Sequence, residues 1–335
     1  MRLLANYQAG HLSTISSEKS TVKMSFRTIL GTVAAGASLL ALTACGGSTE
    51  AGANAADGKT VEIAHAQGTT KVPVKPETVY TFDLGVLDSM TALGLEADGV
   101  PETKYPEALA KYNDKGVTKI GSMKEPDFEA ISNGNPDLII ITGRTAGSYE
   151  ELSKIAPTVD LSVDATKPLD SFKEQAGKLG AIFDVESQVT EKLAAIDTKI
   201  NDVKAKSADA GKGLIVMTSG GELTAYGAGS RFGLIHDVLG VATVADIKSE
   251  GSHGESISFE FLKTNNPDTL YVIDRDSAMG TSGAAASAVL DNELVKSTNA
   301  AKNNKIVNLD SNAWYMVGYG LNNTAKMIDE VAAGL

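Results

Sequence analysis

A sixteen-residue pattern occurs twice in this chain, and it constrains the fold more than any other feature. Glu129-Ala-Ile-Ser-Asn-Gly-Asn135-Pro136-Asp137-Leu-Ile-Ile-Ile-Thr-Gly-Arg144 recurs 131 positions later as Glu260-Phe-Leu-Lys-Thr-Asn-Asn266-Pro267-Asp268-Thr-Leu-Tyr-Val-Ile-Asp-Arg275. Glu, Asn-Pro-Asp and Arg keep register. Each copy reads as a short helix, a Pro stop and an apolar run of the length expected for a buried parallel strand. The Arg falls just past the strand's carboxyl end, where open α/β sheets hold ligands. Two copies predict two α/β lobes, each aiming one Arg at a shared cleft. Ordinary Asn-Pro-Asp turn chemistry explains the turns but not the matched Glu and Arg.

Arginine usage sharpens this reading. After Cys45 there are 23 lysines but only three arginines, Arg144, Arg231 and Arg275. General surface charge is left to Lys, so the rigid, permanently charged forks are reserved for oxygen atoms of fixed geometry. Three forks point to one anionic ligand.

The N-terminus carries an address. The apolar stretch from Thr28 to Leu42 has signal-peptide length, follows Lys23 and Arg27, and ends in the lipobox Leu42-Thr43-Ala44-Cys45-Gly46. Cys45 is the only cysteine, so no intrachain disulfide can form, and its position predicts cleavage before it and lipidation. Residues 1–44 are expected to be a lipoprotein signal peptide with Met24 as the true start, because residues 1–23 are polar and precede the basic region. Residues 45–59, rich in Gly, Ala and Ser, read as the lipidated Cys and a flexible tether. Loss of residues 1–44 leaves 26 basic against 41 acidic side chains, a formal −15. Such a surface repels nucleic acid, which is excluded as a partner, so the arginines must act locally in a cleft.

With 335 residues and 42% hydrophobic content the chain can bury a full core, and its length favours about two domains. Val61 to Val74 alternates around Gly68 like a hairpin. Strand and helix patterns then alternate through residues 60–184, an N-terminal α/β lobe. Leu169 to Phe183 and Glu186 to Lys206 run together as helical sequence, with Val189, Leu193, Ile196, Ile200 and Val203 recurring at helical spacing. One long helix is expected to join the lobes, with residues 185–210 as the link and residues 211–335 as the C-terminal lobe.

Several residues are candidates for the ligand. Tyr226-Gly-Ala-Gly-Ser-Arg231-Phe-Gly233 follows a strand and opens a helix; it fails as a dinucleotide fingerprint and reads as a binding loop that presents Arg231, with Tyr226 at its start. His253 sits between glycines before the second repeat copy, where solvent exposure and service to a ligand are both open readings. His236 on an apolar helix face reads as a core histidine, and His65 in the hairpin as surface. Trp314-Tyr315 follows the strand Ile306 to Leu309, and a phenolate there suits ferric iron, with Tyr319 a nearby alternative.

Taken together, Ser230-Arg-Phe-Gly-Leu-Ile-His-Asp-Val-Leu-Gly240, His253-Gly-Glu-Ser-Ile-Ser258, Tyr271-Val-Ile-Asp-Arg275, Leu290-Asp-Asn292 and Leu309-Asp-Ser-Asn-Ala-Trp-Tyr315 resemble the iron-siderophore substrate-binding lipoproteins of ABC importers. The likeness is to the group that takes ferric catecholates of the petrobactin, bacillibactin and enterobactin type, and it covers essentially everything after Thr60. It implies a class III periplasmic-binding-protein fold, α/β, with two βαβ lobes bridged by one long helix. It implies that Arg144, Arg231 and Arg275 surround a trianionic ferric complex, and that His253 and Tyr315 fill the two open iron positions when the siderophore is tetradentate. Glu129 and Glu260 are assigned by the resemblance to docking on the permease subunits. The expected protein is a monomer held by its lipid at the extracytoplasmic face of the cell membrane. Its ligand is an Fe(III)–siderophore complex, with no intrinsic cofactor.

Other classes fit less well. A hydrolase would need a Gly-x-Ser-x-Gly elbow, which is absent. A zinc or manganese carrier would need more His than the three that remain after processing. Haem or cobalamin on the same fold is the nearest alternative, although neither calls for three converging arginines.

Overall fold

The computed structural model describes residues 58–248 and 253–335. The predicted signal peptide, Cys45 and most of the tether lie outside the described residues. No helix among the described residues is long and apolar enough to cross a membrane.

The hairpin expected around Gly68 is present as β1 (Thr60–His65) and β2 (Gly68–Pro73), antiparallel. Its tip is not simply surface. Gln67 Nε2 donates to Asp160 Oδ2 (2.9 Å), Thr70 Oγ1 donates to the Thr158 carbonyl (2.9 Å), and His65 lies against Tyr149 with ring centroids 5.5 Å apart.

The first lobe follows as β3 (Val79–Thr81), α1 (Leu84–Ala92), β4 (Gly99–Val100), β5 (Thr118–Lys119), α2 (Phe128–Gly134), β6 (Leu138–Ile141), α3 (Tyr149–Leu152) and β7 (Thr158–Asp160). Its strands form one parallel sheet in the order β5-β4-β3-β6-β7. All four residues of β6, Leu138 to Ile141, are 0% exposed. The uninterrupted apolar run is explained by helices on both faces of a parallel sheet.

The helical stretch expected to be one long helix is two. α4 (Pro168–Phe183) and α5 (Glu186–Ser207) are separated at Asp184, which adopts the left-handed conformation (φ 59°, ψ 46°). That residue accepts the turn because a short polar side chain tolerates αL, and its carboxylate pairs with Lys75 at 2.7 Å. The reversal packs α4 against α5. Phe172 and Ala176 of α4 join the core of the second lobe, whereas Leu179, Ile182 and Phe183 join that of the first. The bridging burial thus belongs to α4, while Val189, Ile196, Ile200 and Val203 of α5 are buried in the second-lobe core.

The second lobe contains β8 (Lys212–Ser219), β9 (Glu222–Tyr226), β10 (Ala242–Thr243), β11 (Glu255–Ile257), α6 (Phe259–Asn265), β12 (Thr269–Asp274), α7 (Arg275–Met279), three single-turn helices α8 (Ala286–Val289), α9 (Glu293–Lys296) and α10 (Asn299–Lys302), β13 (Ile306–Asn308), and the terminal helix α11 (Asn323–Ala333). Its sheet runs β11-β9-β8-β12-β13, with β10 also on β8. β9 is antiparallel to β8, because the two-residue link Gly220-Gly221 takes positive φ at both positions (59° and 84°), a hairpin geometry that glycine alone adopts freely.

The internal repeat is a repeat of structure. α2 and α6 are capped by Asp127 and Ser258, whose side chains accept from Ala130 N and Phe261 N, and both end on a left-handed Asn, Asn135 (φ 45°) and Asn266 (φ 46°). Asp137 and Asp268 then pin the start of the adjacent strand: Asp137 Oδ2 accepts from Thr78 N (2.8 Å) and Asp268 Oδ2 from Lys212 N (2.9 Å). Each helix runs antiparallel to the strand it precedes, so the Glu at its start and the Arg beyond the strand share one end of the sheet.

Candidate functional site

Three arginines from two lobes meet at one residue. Arg144 follows β6 through Thr142 and Gly143, Arg231 rides the loop after β9, and Arg275 starts α7 at the end of β12. Arg144 Nη2 donates to the Tyr315 carbonyl (2.7 Å) and Nη1 to the Met316 carbonyl (3.0 Å). Arg231 Nη2 donates to the same Tyr315 carbonyl (3.0 Å), and its guanidinium lies 4.8 Å from the centroids of both Phe232 and Tyr315. Arg275 Nε donates to the Tyr315 hydroxyl (2.9 Å) and Nη1 to Ser219 Oγ (3.0 Å). Burial, and then the proximity of Arg144, push Arg231 below the usual guanidinium pKa. A desolvated cation beside a like charge favours any anion that reaches both.

These residues line a cleft of about 1000 Å³, which also includes Lys124, His253, Tyr226, Trp314 and Tyr319. A smaller groove of about 550 Å³ near Asp291 and Lys296 contains no convergent arginines. Two amides of the loop that carries Arg231 are already bonded within the protein. Gly229 N donates to Asp237 Oδ2 (2.7 Å) and Gly233 N to the Ser230 carbonyl (2.8 Å). A Cβ on Gly233 would lie 2.1 Å from Asp237 Oδ2, so the glycine is needed to wrap the loop around that carboxylate. The helix that follows is a π-helical turn, Leu234–Val238.

Residues 79–313 match the periplasmic binding protein family. The petrobactin-binding protein YclQ of Bacillus subtilis (strain 168) is 45% identical over 269 residues, which is 79% of this chain and 84% of that protein. The chain belongs to the periplasmic binding protein family. The crystal structure of YclQ superimposes with a TM-score of 0.80 at 43% identity, covering 82% of this chain and 98% of that one. The catecholate-siderophore binding protein VctP of Vibrio cholerae gives 0.79 at 37% identity, covering 82% of this chain and all of that one. This chain has the class III fold of these binding proteins, and it is a substrate-binding protein of transport, not an enzyme.

In this binding protein the predicted site residues are spread over the cleft in distinct ways. Arg144 and Arg275 converge as expected from the repeat, and Arg231, which lies outside it, joins them. His253 is exposed at the cleft edge. Its neighbour Gly254 brings it there: a Cβ on that residue would come 2.2 Å from the Ala225 carbonyl oxygen, so only glycine lets the segment lie this close to β9. Tyr226 is 3% exposed and packs edge-on against Phe232 at 4.7 Å, which makes it a wall of the cleft beneath Arg231.

Tyr315 and Trp314 sit inside a π-helical turn, Asn312–Val317, not directly on the strand end. Trp314 is 1% exposed and donates Nε1–H to Glu330 Oε2 (2.8 Å). Geometry separates the two tyrosines. The Tyr315 hydroxyl accepts from the Arg275 guanidinium, whereas the Tyr319 hydroxyl is buried without a partner among the described residues and burial pushes its pKa up. His236 is buried with Nδ1 hydrogen-bonded to the Val241 carbonyl (2.8 Å), the core role read from its helix face. Glu129 and Glu260 are exposed at the second positions of α2 and α6.

Sequence reasoning missed Lys124 and the Tyr315 carbonyl. Lys124 lies ahead of the first repeat copy, and at the repeat's spacing of 131 its counterpart is Glu255, so the repeat does not single it out. A main-chain carbonyl has no sequence signal.

Proposed function

We propose that this protein captures ferric catecholate siderophores at the extracytoplasmic face of the cell membrane, anchored through Cys45, and delivers them as a monomer to an ABC permease. The observation that carries this reading is the convergence of Arg144, Arg231 and Arg275 from two lobes on one residue, Tyr315, within one cleft. Ferric iron held by three catecholates carries a net charge of about −3, a hard-donor complex that three guanidinium forks neutralise without losing protons. The likeness to YclQ and VctP supports the ligand class. For a tetradentate complex, His253 and Tyr315 fill the two open iron positions; the cation on the Tyr315 hydroxyl supports that role, and Tyr226 shapes the wall. Iron enters as cargo. Glu129 and Glu260, one per lobe on the arginine end of each sheet, dock on two permease subunits.

The test is a fluorescence titration of the chain from residue 58 onward with ferric bis- and tris-catecholates, a ferric hydroxamate, haem and cobalamin, with Trp314 in the cleft wall as reporter. Saturable quenching by ferric catecholates at concentrations where haem and cobalamin give none is expected. Preferential response to haem or cobalamin would replace the reading.

A further inference from the structure

Tyr315 touches all three arginines with different atoms. Its carbonyl accepts from Arg144 and Arg231, its hydroxyl accepts from Arg275, and its ring lies 4.8 Å from the Arg231 guanidinium and 5.6 Å from that of Arg275. Arg144 comes from the first lobe and the other participants from the second. The turn beneath is held on several sides. Asp310 Oδ1 accepts from Asn312 N (2.9 Å) and Ala313 N (3.2 Å), and Asn323 Nδ2 donates to the Ala313 and Gly318 carbonyls (2.8 and 2.7 Å). Trp314 within the same turn is tied to Glu330.

Three guanidinium groups near one point repel each other, and the penalty grows where water is excluded. An oxygen that accepts from two of them offsets part of that repulsion. We propose that Tyr315 is the positioning residue of the arginine triad. Its carbonyl holds Arg144 and Arg231 and its hydroxyl aims Arg275, so that the three charges stand assembled before any ligand arrives. An anionic ligand oxygen then takes over as acceptor from the carbonyl. This inference rests on the reading of the cleft as an anion site, but it does not require the phenol to reach iron.

Because the chain after Cys45 has only three arginines, its arginine Nε–H spectrum contains three signals, each assignable by substitution. In the ligand-free protein the Arg275 Nε–H is expected to exchange slowly with solvent and to lose that protection in Tyr315→Phe, while the Arg144 and Arg231 signals stay in place. An unchanged Arg275 signal in Tyr315→Phe overturns the proposal, whatever the protein binds. A second arm uses a hexadentate ferric tris-catecholate, which has no open iron position for the phenol. Tyr315→Phe should weaken it roughly three- to tenfold, the range for one hydrogen bond, and this loss should vanish in an Arg275→Ala background. Equal losses with and without Arg275 would show Tyr315 acting independently of the arginine and would also overturn the positioning role.

Discussion

At the scale of single residues, the site depends on how few arginines the chain uses and on what each fork meets. Arg231 and Arg275 reach Tyr315 by different atoms, and Arg231 is the more desolvated of the two. Arg231→Ala and Arg275→Ala are each expected to weaken ferric-catecholate binding by about 1.5 to 3 kcal/mol, the range for hydrogen bonds to charged groups. Titration of both variants against the parent checks this, and parental affinity in both would remove the charge clamp. His253 and Tyr315 make a separate prediction. On binding, a ferric tetradentate catecholate should shift its charge-transfer band, while a hexadentate one, with no open iron position, should not. Absorption spectra of the parent, His253→Ala and Tyr315→Phe decide it: the same spectrum in all three would leave both residues as hydrogen-bonding or packing groups.

At the scale of elements, the lobes are joined by a buried carboxylate that has no counterpart in the repeat. Asp88 of α1, 4% exposed, accepts from Asn322 N and Asn323 N (both 2.8 Å) at the start of α11, and Ser89 Oγ accepts from Leu321 N (3.2 Å). The approach is close enough that a Cβ on Gly85 would lie 2.2 Å from the Tyr319 carbonyl oxygen, and one on Gly320 would lie 2.5 Å from Asp88 Oδ2. Asp88→Ala leaves two backbone donors without acceptors and is expected to cost about 1 to 3 kcal/mol in urea unfolding. Asp88→Asn keeps an acceptor and should cost less. Burial holds the Asp88 carboxyl above its ordinary value of 3.8, against the two amide hydrogen bonds, which pull it down. The folded state therefore binds this proton more tightly than the unfolded state. Its contribution is complete below the unfolded value and is lost as pH rises through the folded one. Asp88→Asn has no such titration, so its stability relative to the parent should increase as pH rises from about 4. A flat difference across an unfolding series in pH would show that the carboxyl titrates normally.

At the scale of the whole molecule, the two lobes repeat one device. Asp127 and Ser258 cap matched helices, and each cap fixes an exposed Glu one position beyond the first helical residue, at the arginine end of its sheet. Glu260 pairs with Lys263 at 3.4 Å, an exposed contact that contributes little. Carboxylates so placed govern orientation and encounter rate with a basic partner more than ligand affinity. The double variant Glu129→Ala, Glu260→Ala is expected to bind ferric ligand like the parent but to fail in cellular iron uptake. Normal uptake at normal abundance would place permease docking elsewhere.

The lobes, their strands and the convergence of Arg144 with Arg275 were legible in the chain itself, because strand length, helix caps and the sixteen-residue pattern repeated 131 positions on are patterns written in the sequence. The carboxyl-end rule for α/β sheets then put the arginines together. The break at Asp184 was not legible, since helical periodicity continues across it and only the return of α5 along α4 selects the left-handed residue. Nor were the Asp88 joint and the Tyr315 carbonyl. The first links groups 234 and 235 positions apart and the second accepts from an arginine 171 positions away. A backbone acceptor has no residue identity, and a buried carboxylate reads from sequence as a surface charge. Pairing at such separations is decided by packing of the two lobes, which is why tertiary structure alone shows all three arginines on Tyr315.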